Sequence, residues 1–271
     1  MENVIFNINS AFREKHYKSN DFVINMRSTI KNIIYIKVTS VEIPNVSYTF
    51  RDSLRNNFFD ILYQYDNKTY KSKIYIGEGN HTSNSIVSNI QEQFDNIALE
   101  FDFNLKITLD TVSGRIFILS DKIIFIDFST SELNFYLGFS NKQYKGYKIN
   151  AEGLLNIIRT PYIFIKINDI ENIIDNKVSN VFTKVVLNSE KYTYHFQSFG
   201  DFNSKDKFFR GPIDIDKFHI SLVDCLGDPL YLNGMDFSMT IECGTIYDRK
   251  LYKKMLSKGI PNGDKRLNIH Y

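Results

Sequence analysis

Between Ile33 and Ile43 the chain reads IIYIKVTSVEI, and Pro44-Asn45 follows at once. Branching at Cβ restricts a side chain against a helical turn but packs well on a pleated surface, so such a run favours a strand. Proline then removes a ladder donor and ends it. The pattern recurs in short pieces. Phe22–Met26, Leu105–Leu109, Arg115–Leu119, Ile123–Phe128, Tyr162–Ile167, Val181–Leu187, Tyr192–Phe196, Phe218–Val223, Pro229–Leu232 and Phe237–Glu242 all have strand length and strand composition. Simple alternation in the long run puts Tyr35, Lys37, Thr39 and Val41 on one face and Ile34, Ile36, Val38, Ser40 and Glu42 on the other. A chain so punctuated builds its core from sheets, and no stretch approaches the roughly 20 apolar residues that cross a bilayer as a helix.

One region departs from this style. Residues 73–86, KIYIGEGNHTSNSI, run from a short strand through Gly77-Glu78-Gly79-Asn80 to Thr82 or Ser83, either of which caps a helix. Ile86, Val87, Ile90, Phe94 and Ile97 then repeat at helical spacing. Asp110-Thr111-Val112-Ser113-Gly114 separates two strands and reads as a hairpin turn. Leu154–Ile158 reads as one helical turn and Tyr247–Leu256 as a terminal helix. The expected fold is mainly β: a jelly-roll-like β-sandwich with an inserted α+β unit. The boundaries are an N-terminal arm over 1–20, a sandwich from 21–69 and 150–245, the inserted unit at 70–149, and a basic C-terminal segment at 246–271. An echo of Lys31–Pro44 in Lys217–Pro229 favours the alternative of two tandem sandwiches.

Composition narrows the function. The 271 residues are 43% hydrophobic and 15% aromatic, which suits a folded chain with a large core and not a disordered one. A net charge of +2 leaves no global electrostatic footprint for nucleic acid. Two cysteines make no disulfide scaffold, and neither Cys225 nor Cys243 belongs to a C-x-x-C pair. Three glycosylation sequons, at Asn45, Asn67 and Asn80, carry no weight beside an N-terminus that lacks a signal-like apolar segment.

Catalytic signatures are sparse. His16, His81, His195, His219 and His270 are scattered and match no zinc spacing. The Gly-x-Gly turn at 77–79 lacks the lysine of a phosphate loop and the third glycine of a dinucleotide fingerprint, and reads as a tight turn with a helix cap. Asp214 with Asp216, Asp224 with Asp228, and Glu100 with Asp102 are the acid pairs. Two acids two apart on a strand share a face, as acid–base catalysis or Ca²⁺ binding needs, and as any solvated face also provides. No catalytic, cofactor or metal site is assigned. Arg249, Lys250, Lys253, Lys254, Lys258, Lys265 and Arg266 make the C-terminal segment locally basic and are the candidate contact residues.

Several phrases resemble a known pattern. Residues 21–50, DFVINMRSTIKNIIYIKVTSVEIPNVSYTF, then Leu137-Gly138-Phe139, Ile165–Ile170, Arg210–Ile215, Leu222–Leu230 and Asn233–Ser238 resemble blocks of minor capsid or penton-like virion proteins of nucleocytoplasmic large DNA viruses, the giant amoebal and algal viruses. The resemblance covers most of residues 20–245. It implies a structural virion protein and no enzyme, acting by self-association as a homo-oligomer or by docking to other capsid proteins. It also implies a location in the virion, after assembly in the host cytoplasm. Nucleic acid is expected only through the basic segment. The alternatives from the residues are a sandwich that binds a receptor or glycan, which the absence of Trp disfavours, and a hydrolase that uses Asp214 and Asp216.

Overall fold

The computed structural model describes residues 2–158, 160–198 and 206–257. The chain is mainly β and divides into two compact units. One draws its described residues from Met1–Ser47 and Thr160–Tyr271, the other from Tyr48–Arg159.

The first unit is one curled antiparallel sheet. Its strands are β1 (Glu2–Asn9), β2 (Asp21–Pro44), β8 (Tyr162–Ile167), β9 (Thr183–Val186), β10 (Tyr194–Ser198), β11 (Lys207–Asp224) and β12 (Ser238–Thr245), in the order β1-β12-β2-β11-β8-β9, with β10 also on β2. Val41 pairs both Met239 and Gln197, and Ile36 pairs both Cys243 and Lys207, so β10 and β11 lie end to end along the β2 edge opposite β12. The long strands β2 and β11 belong to both halves of the sheet, and the sheet folds over a shared core. Phe6 on β1 meets Phe218 on β11 edge-on at 5.9 Å, although two strands separate them in the sheet order.

Register irregularities in β2 decide which side chains enter that core. Ser40 opposes Thr240, but Val38 opposes Ile241, so one extra residue of β2 bulges at Thr39. A second shift lies between Tyr35 and Ile33. Each bulge reverses the face count. As a result Ile33, Ile36, Val38, Val41 and Ile43 are all buried in one core, across both faces expected from simple alternation.

The second unit contains β3 (Phe58–Tyr65), β4 (Lys68–Tyr75), α1 (Ser83–Phe101), β5 (Leu105–Asp110), β6 (Arg115–Asp127), α2 (Leu133–Leu137) and β7 (Gln143–Asn150). Its antiparallel sheet runs β4-β3-β6-β5, and β7 joins β6. Ile86, Ile90, Phe94, Ile97 and Phe101 of α1 are buried with Phe59, Tyr63, Ile118 and Phe128 of the sheet. Thr82 caps α1: its hydroxyl accepts from the Ser85 N–H, and the Ser85 hydroxyl accepts from the Thr82 N–H.

Several expectations are corrected. The N-terminal arm is strand β1, whose inward residues Val4, Phe6 and Ile8 alternate with polar ones too weakly for the run to stand out. Residues 48–69 belong with the second unit, because β3 and β4 form one hairpin of its sheet. Phe22–Met26 and Ile33–Ile43 are one strand, as are Arg115–Leu119 and Ile123–Phe128, since a bulge passes the ladder through the polar residues between them. Leu154–Ile158 is not helical, and Pro229–Leu232 forms only an isolated bridge. The terminal helix α3 spans Arg249–Ser257.

Candidate interaction surfaces

Of the seven basic residues expected to form a contact segment, Arg249 has a structural role. Its guanidinium bonds the Asn32 side-chain oxygen, and its Nη2 donates to Asp214 at 2.9 Å. The Asn32 backbone N–H donates to the same Asp214 oxygen at 2.8 Å. That amide, with Arg249 second, holds the Asp214 carboxyl below the usual carboxylate range. The start of α3 is thereby tied to the β2–β11 pair. Lys250, Lys253 and Lys254 are exposed on α3. Lys258, Lys265 and Arg266 lie outside the described residues.

The acid pairs do not converge. Asp214 and Asp216 are both exposed on β11, and Asp214 is committed to Asn32 and Arg249, so the hydrolase reading loses its two carboxylates. Asp224 is buried and organises a turn: its Oδ1 accepts from the N–H groups of Leu226 and Asp228, both at 2.9 Å. Glu100 is exposed, and Asp102 is the left-handed residue that ends α1. His219 pairs with Asp21 at 2.6 Å on an open surface. Among the described residues no group of three or more His, Cys, Asp and Glu is placed to hold a metal ion.

The glycine turn at 77–79 uses its polar groups internally. His81 Nε2 donates to the Gly77 carbonyl at 2.8 Å, Glu78 accepts from the Asp52 N–H, and Asn80 accepts from the N–H and hydroxyl of Thr49. It is a turn that leads into a cap.

Two concavities lie in the second unit. An open groove of about 1110 Å³ between α1 and the β5–β6 hairpin mixes Glu92, Asp95 and Asp121 with Lys106 and Lys148. Asp121 is satisfied by Asn104, and Asp95 accepts from Gln91. A smaller hollow carries Arg55, Lys71 and Lys73 beside Asp60, which pairs with Lys71 at 2.8 Å. Neither aims several unsatisfied polar groups at one point, as a small-molecule site does.

The surface feature that sequence reasoning missed is apolar. On the core-averted face of the first unit's sheet stand Ile5, Tyr194, Phe196 and Phe208, all exposed, with Phe196 at 68%. Their positions follow from register: Phe196 opposes Glu42, Tyr194 opposes Pro44, and Phe208 opposes Tyr35. Phe208 also packs at 5.5 Å, tilted by 45°, against Tyr35, which lies across Gly244 and donates from its hydroxyl to Glu242 at 2.6 Å. The alternation in Tyr192–Phe196 pointed to a strand. Which side of it meets water depends on its register against β2, which sets His195 and Gln197 opposite the buried Ile43 and Val41.

Among known proteins, no family model matches this chain, and no curated protein matches it. A solved structure, that of the selenomethionine-labelled mavirus penton protein, is similar at a TM-score of 0.48 and 12% identity, over 91% of this chain and 100% of that one.

Proposed function

We propose that this chain is a structural protein of a virion and that it works by binding further copies of itself or neighbouring capsid proteins. The supporting observation is the set of solvent-facing Ile5, Tyr194, Phe196 and Phe208 on the core-averted face of the first unit's sheet. Exposed aromatic and aliphatic residues grouped on one face mark protein–protein contacts more often than small-molecule sites. The sequence blocks that resemble virion proteins point the same way, and in this fold they form strands and corners. Asp224 to Pro229, for example, is a turn built on one buried carboxylate. The test is the solution mass of the purified chain by size exclusion with light scattering. A closed multiple of 31.7 kDa is expected, with a pentamer favouring a vertex position and a trimer a capsomer. A monomer at every concentration overturns self-association.

A further inference from the structure

A sheet edge offers unpaired N–H and C=O groups, and folded proteins protect such edges with charge, bulges, short length or cover. Most edges of this molecule are protected. In the second unit, Gln91 of α1 accepts from the Ile107 N–H at 2.8 Å and donates to the Leu105 carbonyl at 3.1 Å, which covers β5. Gln93 does the same for both backbone groups of Tyr75 at the end of β4, a strand that also carries Lys68, Lys71 and Lys73. β7 has Lys145 and Lys148 and a register irregularity between Lys148 and Gly146. In the first unit, β9 has four residues, including Lys184, and β10 has five.

Among the described residues β1 has none of these devices. All eight of its residues pair with β12 in unbroken register, from Glu2 opposite Thr245 to Asn9 opposite Ser238. In such a ladder every second residue turns its N–H and C=O away from the neighbour. Among the described residues no backbone group bonds to that outer side. The strand, ENVIFNIN, has no proline or lysine, and its single charge is Glu2 at one end. Ile5, at its centre, is 66% exposed.

We infer that the outer edge of β1 pairs antiparallel with β1 of a second copy of this chain, about a two-fold axis through Ile5. This rests on the self-association part of the function proposed above and names its surface. Opposed residues must share a sheet face, so their numbers differ by an even count. The register centred on Ile5 meets that condition. It sets Ile5 against Ile5 of the second copy, Asn3 against Asn7, and Val4 against Phe6, with no charge facing a like charge. The two ends of β1 also complement each other. Phe12, just beyond the C-terminal end, is 87% exposed. Tyr247, held to Glu2 at the other end by a 2.6 Å hydrogen bond, is 79% exposed. Antiparallel pairing brings the Phe12 end of one copy to the Tyr247 end of the other, twice per dimer. That enlarges the contact beyond a bare ladder, towards the roughly 1,200 Å² of a specific interface.

The experiment measures the solution mass of the full chain and of the I5K and I5E variants, alone and mixed in equal amounts, with V186K as a control at another exposed strand residue. I5K and I5E each oppose like charges across the axis. Each is expected to show half the parent's mass with an unchanged thermal melt, the mixture to recover the parent's mass, and V186K to match the parent. Variants that keep the parent's mass overturn the β1 contact and leave self-association standing. Dissociated variants that do not recover on mixing overturn the two-fold register, since some other segment then occupies the edge. A parent with an odd copy number, such as a trimer or pentamer, overturns the two-fold β1 contact and leaves self-association standing, and a parent that is monomeric throughout overturns both.

Discussion

Single residues in this chain act through the space left around them. Gly244 illustrates this: a Cβ built there would lie 2.0 Å from the Tyr35 ring. The glycine therefore serves as a seat for an aromatic ring, one of the ways a sheet recovers packing lost at glycine. Gly244→Ala must displace the ring and break its bond to Glu242. The expected loss is about 1–3 kcal/mol, typical of overpacking. In a denaturant titration of a double-mutant cycle, combining it with Tyr35→Ala should cost less than the sum of the two singles. Cys243 is a second case. It is fully buried beside that position, and burial pushes its thiol up to about 12 from an ordinary value near 9. The folded state thus favours the neutral thiol. That contribution is complete below about pH 9, where the unfolded thiol is also protonated, and is lost as the pH rises from there through about 12. Wild type minus Cys243→Ala, followed by denaturant titration from pH 8 to 11, should give a stability difference that narrows as the pH rises. A pH-independent difference would contradict the assignment.

At the scale of elements, α1 joins its sheet in two ways. Its apolar stripe enters the core, and two glutamines off that stripe act as strand mimics towards β5 and β4. Each makes a pair of hydrogen bonds between its side-chain amide and backbone groups at a strand edge. A net hydrogen bond contributes about 1 kcal/mol, so Gln91→Ala or Gln93→Ala is expected to cost about 1–2 kcal/mol. The sharper readout is local. Amide hydrogen exchange should quicken at Ile107 for the first variant and at Tyr75 for the second, with the opposite edge unchanged. Uniform quickening would mean that the helix, and not the clip, had been damaged. The stripe itself was legible from the spacing of Ile86, Ile90, Phe94 and Ile97. The clips were not, because a glutamine on a helix gives no sequence sign of whether it faces water or an unpaired strand.

At the scale of the whole molecule, the chain leaves the first unit after Ser47 and returns at Thr160, and the segment between has its own core of Phe50, Phe59, Phe94, Phe128 and their neighbours. The ends of that segment meet, since the Thr49 hydroxyl oxygen lies 3.4 Å from the Ile157 carbonyl oxygen. A continuous segment with joined ends and a separate core meets the usual conditions for independent folding. A fragment covering residues 48–158 is therefore expected to melt cooperatively and to show dispersed amide resonances. A non-cooperative melt would show that the rest of the chain is required. The same organisation explains why the domain boundaries were only partly readable. The change of style over residues 73–86 marks the entry into helix α1, whereas the first hairpin of the second unit, β3–β4, has the same β composition as the sandwich.

What the sequence determined by itself is what depends on near neighbours along the chain: the strand-rich class, a helix through Ile86–Ile97 with a cap at Thr82 or Ser83, and the turn at Asp110–Gly114. These follow from side-chain branching, periodicity and turn chemistry, all set within a few residues. The tertiary structure alone decided the rest. β1 became a strand because β12, more than two hundred residues away, supplies its ladder. The faces of β2 were set by bulges that exist only against the register of β12. Asp214 took a structural role because Arg249 and Asn32 are brought to it. Side-chain direction in a sheet reverses with every one-residue shift in pairing, so no local pattern reveals which aromatics end in water until the partner strand is in place.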